Sequence, residues 1–281
     1  LTVTREGLLL IPDAGAVTVS GLTFEEAKIA ISEAIETKPV PSVSPITPIK
    51  DVTKEPKVSV APVVTPSKRR GGRSDNQLVN LLKRSGIEYY RGSLEDVLDR
   101  FFQTASIYSP DHIVRLTGDC PVIDFEIIDK VIELHLDKCF DYTSNAPGLG
   151  VTFPDGLDVE VIRFDILKEV WEKSRLPSER EHVTPYITRH PELFFVGHYA
   201  SNHNLSNYRW TVDEPEDFVL VEKIYQALYP LNKAFKMEDI LQLMNNNPEM
   251  KLINHKIGRN EGMKKSLIED KEWASNEYES L

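Results

Sequence analysis

Two aspartates, Asp119 and Asp213, stand 94 residues apart in similar local settings, LTGDCP over 116–121 and TVDEP over 211–215. Each follows an apolar, β-branched segment, HIVRL (112–116) or YRWTV (208–212), and each precedes by two residues a proline that leads into an amphipathic run. Proline loses no hydrogen bond at the start of a helix, because the N–H it lacks has no intrahelical partner there. The pattern predicts two strand-to-helix turns, each with an aspartate at the carboxyl tip of its strand, where open α/β sheets bind ligands. Two carboxylates gathered at such an edge can hold a divalent cation such as Mg2+, which accepts one or two carboxylates and completes its shell with water and phosphate oxygens. The same residues suit a plainer role, since aspartate is a favoured helix N-cap, and local spacing does not separate the two.

The elements that must position these aspartates fall into three unequal parts. Residues 1–38 read as short strands with glycine turns, followed by a helix in which Thr23 caps FEEAKIAISEAIE and Glu26 completes a capping box. Residues 39–73 carry seven of the eighteen prolines and no sustained helical period, the composition of an extended linker. Within them VSVAPVV (58–64) has strand composition, although Pro62 would confine it to an edge. From residue 74 to 281 the pattern is globular. A helix over 75–84 stops at Gly86, IEYY (87–90) reads as a short strand, and Ser93 is placed to cap a helix whose Leu94, Val97, Leu98, Phe101 and Phe102 share one face. Further strands are expected at HIVRL, GLDVEVIRF (156–164), LFFVGHYA and YRWTVD, and further helices after Asp119, around DILKEVWEKS, after Ser178 as cap, and after Asp213, with two more closing the chain. Strands alternating with helices at this spacing predict an α/β fold of three layers around a mainly parallel sheet.

Composition narrows the function. A chain of 281 residues that is 41% hydrophobic has material for a substantial core. A formal charge of −11 argues against a broad nucleic-acid surface, which needs lysine and arginine to neutralise phosphates. Cys120 and Cys139 form no CxxC pair and are too few for a disulfide framework, which fits a reduced, cytoplasmic compartment. No apolar run approaches the length of a membrane span, and nothing reads as a signal peptide. The chain opens on Leu1 rather than Met, so its expected start lies upstream.

Six blocks in order, RGSLEDVLDRF, VRLTGDCPVID, YTSNAP, PDGLDVEV, LPSEREHVTPYI and RWTVDEPEDF, resemble the cytidylyltransferases of the spore-coat polysaccharide type, relatives of the acylneuraminate and 3-deoxy-manno-octulosonate cytidylyltransferases. The resemblance runs from about Ser74 to about Trp273. It implies the Rossmann-like fold of the nucleotide-diphospho-sugar transferases and transfer of CMP from CTP to a sugar acid with release of pyrophosphate. It also implies Mg2+ held by Asp119 and Asp213, and nucleotide contacts from Arg91 and Ser93. Asp155, Asp158, Glu160, Arg180 and His182 fall where the family approaches the sugar. Arg180 has the geometry to pair with a sugar carboxylate on two prongs. The residues alone leave other roles open: Ser93 as a simple cap, GLDVEV as an alternating strand with its acids in solvent, and His182 as a core histidine. The expected partners are CTP and a sugar acid, with no nucleic acid and no membrane span, and a homodimer is compatible with the family.

Family members open with a strand and an arginine- and glycine-containing loop that holds the CTP phosphates. That loop has no counterpart here, because Arg69, Arg70, Gly71, Gly72 and Arg73 stand directly before a helix that belongs later in the fold and read as the end of a solvated linker. The domain is therefore expected to be truncated at its N-terminus and impaired in CTP binding. Residues 1–38, with REG, IPDAG and GLTFEEA, resemble part of a polysaccharide export module, which suggests a fusion of two incomplete genes. Two readings follow, an enzyme that activates a sugar acid with CTP, and a non-catalytic remnant or export-linked binding module.

Overall fold

Ile113 and Val114 are neighbours on one strand, yet they bury in two different cores, and Val161 and Ile162 divide in the same way on the strand beside it. Side chains alternate across a strand, so this split shows a sheet covered on both faces. The computed structural model describes residues 2–3, 8–11, 15–18, 58–59, 73–145, 150–259 and 261–279.

In chain order, β1 (Thr2–Val3), β2 (Leu8–Ile11) and β3 (Gly15–Thr18) form an antiparallel sheet of their own. Then come β4 (Val58–Ser59), α1 (Arg73–Arg84), α2 (Val97–Tyr108), β5 (His112–Arg115), α3 (Phe125–Lys138) and β6 (Tyr142–Ser144). They are followed by β7 (Glu160–Arg163), α4 (Phe164–Lys173), α5 (Pro177–His182), α6 (Pro185–Arg189) and β8 (Val196–His198). The chain closes with α7 (Pro215–Leu228), α8 (Met237–Asn246), a 3-10 turn (Pro248–Leu252) and α9 (Glu261–Glu279). The second sheet has the order β4-β5-β7-β6-β8. Helices α3, α7 and α8 contribute to the core with Val114 and Val161, while α2, α4 and α6 contribute to the core with Ile113 and Ile162. The expected three layers are present. No helix among the described residues is long and apolar enough to cross a membrane.

Several local expectations are corrected. The sheet is mixed: β4 pairs parallel with β5 and β6 with β8, but β7 runs antiparallel to both β5 and β6. Parity does not carry strand direction, so GLDVEVIRF gave no sign of its reversal. YRWTVD is extended without joining the sheet as a strand, and its one bridge pairs Arg209 with Asp155. Residues 87–89 carry no regular structure. The stretch read as linker contributes Val58 and Ser59 as an edge strand on β5, the position Pro62 predicts. The helix expected after Thr23 lies outside the described residues.

The caps also moved. Ser93 sits upstream of α2 and accepts from the Asp96 N–H at 3.1 Å, while Asp96 caps the helix by accepting from Asp99. Asp119 lies in a turn well before α3, which is capped by Asp124. Ser178 is buried inside α5 instead of preceding it. Gly86 does end α1 as expected: at φ +64° it allows Ile87 N–H to reach back to Leu82 and Gly86 N–H to Lys83.

Gly156 does more than turn the chain. At φ +105° a Cβ there would stand 2.5 Å from the backbone nitrogen of Thr211, so only glycine lets the 155–158 loop lie against residues 208–211. That contact is made by Asp155 N–H to Tyr208 O at 3.0 Å and Trp210 N–H to Asp155 O at 2.6 Å. Gly86 has open space around it. Gly86→Ala is expected to cost about 1 kcal/mol for its left-handed backbone alone. Gly156→Ala, strained and in collision, is expected to cost more, read as a larger fall in the urea midpoint.

Candidate active site

The segment 208–213 lies between the two loops that carry the other candidate aspartates. On one side Val212 N–H donates to Asp119 O at 2.7 Å, with Thr211 Oγ1 donating to the same oxygen at 3.1 Å. On the other side it makes the bonds to Asp155 just described. Asp119, beyond the end of β5, is thereby joined to Asp213, one residue past Val212.

Arg209 fixes this junction. Its guanidinium donates to Asp217 Oδ1 at 3.0 Å and Oδ2 at 2.9 Å, to Asp155 Oδ2 at 2.9 Å, and to Asp213 Oδ2 at 2.7 Å. Burial works against the Arg209 charge, but the bonds to Asp217 and Asp213 outweigh it and hold its pKa above the usual value. Asp217 is fully buried and accepts from the backbone N–H groups of Asp213 and Glu214 and from Asn254 Nδ2 at 2.8 Å. Burial would raise the Asp217 carboxyl, yet Arg209, Asn254 and these N–H groups hold it below the usual range. Asp217 therefore organises the start of α7, and the Asp213 side chain, half exposed, takes no part in capping it. Neither Asp119 nor Asp213 caps a helix.

A second arginine, Arg259, joins the two acids of the PDGLD loop. It donates to Asp158 Oδ1 at 3.1 Å and stands 3.4 Å from Asp155 Oδ1. Burial pushes the Asp155 carboxyl up against the pull of Arg259 and Arg209, and the charges of Asp213 and Asp119 add to the rise. Burial pushes Asp158 further, to about 7, with Asp155, Glu160 and Asp119 adding to it and Arg259 opposing. Asp155 thus lies in the field of Asp119 and Asp213, and Asp158 in the field of Asp155 and Asp119, which makes the four one acidic site.

The remaining candidates sit elsewhere. Glu160 is buried on β7, where Arg115, the Tyr142 hydroxyl at 2.6 Å and the Thr184 hydroxyl at 2.6 Å all donate to it. It is not an acid in solvent. Arg180 donates through Nε to Asp96 Oδ2 at 2.9 Å and through Nη1 to Trp171 O at 2.9 Å. Arg91 donates to Asn76 Oδ1 at 3.1 Å, and Ser93 O accepts from Arg100 at 2.6 Å. Arg180 and Ser93 therefore meet around Asp96 at the start of α2, apart from the acidic site. His182 Nε2 lies 3.0 Å from Ser266 Oγ.

Sequence reasoning overlooked Arg209, Asp217, Asn254 and Arg259. The first two left a trace, because Arg209, Asp213 and Asp217 recur at four-residue intervals across the start of a helix. Asn254 and Arg259 left none. Among the described residues no group of three or more His, Cys, Asp or Glu is arranged to hold a metal ion. Asp119 and Asp213 supply two carboxylates, fewer than a cation caged by protein alone requires, and Asp213 Oδ2 is already engaged by Arg209.

With this geometry in place, comparison with known proteins is decisive. A family model described as cytidylyltransferase matches residues 74–255. The chain belongs to the cytidylyltransferase family. This cytidylyltransferase is 36% identical over 187 residues to an uncharacterized protein of Methanocaldococcus jannaschii, covering 66% of the chain and 74% of the relative. It is 32% identical over 183 residues to the spore coat polysaccharide biosynthesis protein SpsF of Bacillus subtilis, covering 63% and 74%. A solved cytidylyltransferase from Leptospira borgpetersenii superposes with a TM-score of 0.62 at 31% identity, covering 71% of this chain and 80% of the other.

Two outcomes test the electrostatics. Arg209→Met would leave Asp217 buried without its counter-charge and Asp155 with Arg259 alone, at an expected cost of about 3–5 kcal/mol by chemical denaturation. For Asp158, the folded state keeps a proton up to about pH 7, whereas the unfolded chain releases it near about pH 4. Across that window the native state binds more protons, so this group lowers stability as pH rises. Asp158→Asn is expected to stabilise the protein above the window and to change little below it, in urea titrations at both ends.

Proposed function

We propose that this cytidylyltransferase transfers CMP from CTP to a sugar acid of the nonulosonate class or a related one, releasing pyrophosphate, in the synthesis of a surface polysaccharide. The observation that carries the reading is the acidic site of Asp119, Asp155, Asp158 and Asp213, tied together by Arg209 and Arg259. The sugar's anomeric oxygen attacks the α-phosphorus, the bond to the β-phosphate oxygen breaks, and the hydroxyl proton leaves to a base. Such a reaction asks for positioning and charge neutralisation more than for covalent help.

In this reading Asp119 and Asp213 hold Mg2+, which when bound neutralises phosphate charge. Arg91 and Ser93 serve the nucleotide side. Asp155 and Asp158 orient the sugar hydroxyls, and Asp158, ionising near 7, is suited to take the proton. His182 stands on the sugar side. Glu160 and Arg180 are already engaged by protein partners. CTP as donor fits a cytoplasmic reaction. Residues 1–73 contain no segment resembling the family's phosphate loop, and charge-assisted hydrogen bonds of the kind it supplies are worth roughly 1.5–3 kcal/mol each. Residues 1–281 alone are therefore proposed to bind CTP weakly.

The test is pyrophosphate release from CTP and Mg2+ with a panel of sugar acids, for this chain and for a form with a family strand and loop grafted before Ser74. Slow turnover is expected from the ungrafted chain and faster turnover from the graft, lowered on the order of a hundredfold by Asp119→Asn or Asp213→Asn. Silence from the grafted form with every acid would favour a non-catalytic protein. Brisk turnover without the graft would overturn the weak-binding part alone.

A further inference from the structure

Helix α9 buries the wrong residues for an apolar dock. Its Leu267 and Ile268 are exposed, 42% and 59%, while among the described side chains those it buries are Ser266 and Asp270. One turn apart, these two share a face with Gly262, and all three meet α5 or the residues it contains. Asp270 accepts from Ser178 N–H at 2.8 Å, from the Ser178 hydroxyl at 2.6 Å and from Arg189 at 3.2 Å. Ser266 Oγ lies 2.7 Å from Glu181 Oε2, 3.2 Å from Gly262 O and 3.0 Å from His182 Nε2. A Cβ on Gly262 would touch His182 Cε1 at 4.0 Å.

The same stretch begins at the acidic site. Arg259 pairs with Asp155 and Asp158 there, two residues before α9 starts. Arg259 and the start of α9 (261–270) thus reach, respectively, the acids of the PDGLD loop and the SEREH segment of α5. This stretch lies beyond residue 255, where the match to the family model ends.

The contacts specify more than attachment. Ser266 has one hydroxyl proton, and a carboxylate or carbonyl oxygen can only accept it, so toward His182 the Ser266 oxygen is the acceptor. His182 must then carry its proton on Nε2. Asp270 does for α5 what a local cap would do, from 92 residues away in sequence, since Leu176 at the N-cap position has no side chain able to accept a hydrogen bond.

We propose that α9 is a positioning element for the sugar side of the site, with Asp270 holding the start of α5 and Ser266 fixing the ring and tautomer of His182. The functional consequence rests on the sugar-side role given to His182 above. The contacts themselves do not, so the two can fail separately.

The experiment uses the full chain and two variants, Asp270→Asn and Ser266→Ala, with Ser266→Thr as the conservative control. Amide hydrogen exchange should speed up by about tenfold or more across 178–182 in Asp270→Asn, while β5 and β7 keep their protection. Nitrogen chemical shifts of the His182 imidazole should report the Nε2–H tautomer in the parent and in Ser266→Thr, and a mixture in Ser266→Ala. In the loop-grafted form, KM for the accepted sugar acid should rise by about tenfold in both test variants while KM for CTP stays within about twofold. Unchanged exchange in 178–182, or exchange rising equally in the strands, together with an unaltered His182 tautomer, would overturn the positioning role. Should Asp270→Asn fail to fold, Ser266→Ala and its tautomer decide alone. If the contacts behave as expected but no sugar acid is turned over by the parent graft, the positioning stands and the proposed reaction falls.

Discussion

One guanidinium holds the site together. Arg209 is nine-tenths buried and binds Asp155, Asp213 and Asp217, three carboxylates that would repel one another if brought together without it. Its planar fork reaches both oxygens of Asp217 and one of each neighbour, which a lysine ammonium on a flexible stem does not reproduce. The arrangement around Asp155, Asp213 and Asp217 follows from this. The start of α7 is ordered through Asp217, the 155–158 loop is drawn in through Asp155, and Asp213 is steadied beside the segment that pairs with Asp119.

The sheet supplies the second constraint. Leu157, Val159 and Val161 point with one parity into the core under α3 and α7, so Asp158 and Glu160 must point the other way. Glu160, at the start of the reversed strand, is buried and would be costly there if unpaired. Arg115, Tyr142 and Thr184 satisfy it, and burial together with the Glu160 charge holds the Tyr142 hydroxyl well above its usual pKa. The three donors come from β5, β6 and the residue before α6, so this buried carboxylate locks two neighbouring strands to the segment that follows α5. Asp158, two residues earlier, is pushed up to about 7 by burial.

What was legible in the sequence was whatever depends on neighbours along the chain. β-branched, apolar composition marked β5, the GLDVEVIRF segment marked β7, helical spacing marked α2, and Pro62 marked an edge strand. The six motif blocks placed the chain in its family, whose model matches residues 74–255. Capping was less legible, because Ser93, Asp119 and Ser178 are all residues that favour caps, while packing starts the helices a few residues after Ser93 and Asp119 and one residue before Ser178.

The sequence by itself determined the α/β class, the family and which aspartates were worth watching, since those follow from local periodicity and from motifs read in order. Only the tertiary structure decided that β7 runs against its neighbours, that Glu160 and Arg180 are held by protein partners, and that Arg209 and Arg259 gather the acids. The physical reason is that strand direction and charge pairing are long-range properties. Asp155 meets Arg209 across 54 residues and Arg259 meets Asp158 across 101, and no local pattern records which of many equally charged side chains folding will bring within 3 Å or so of one another.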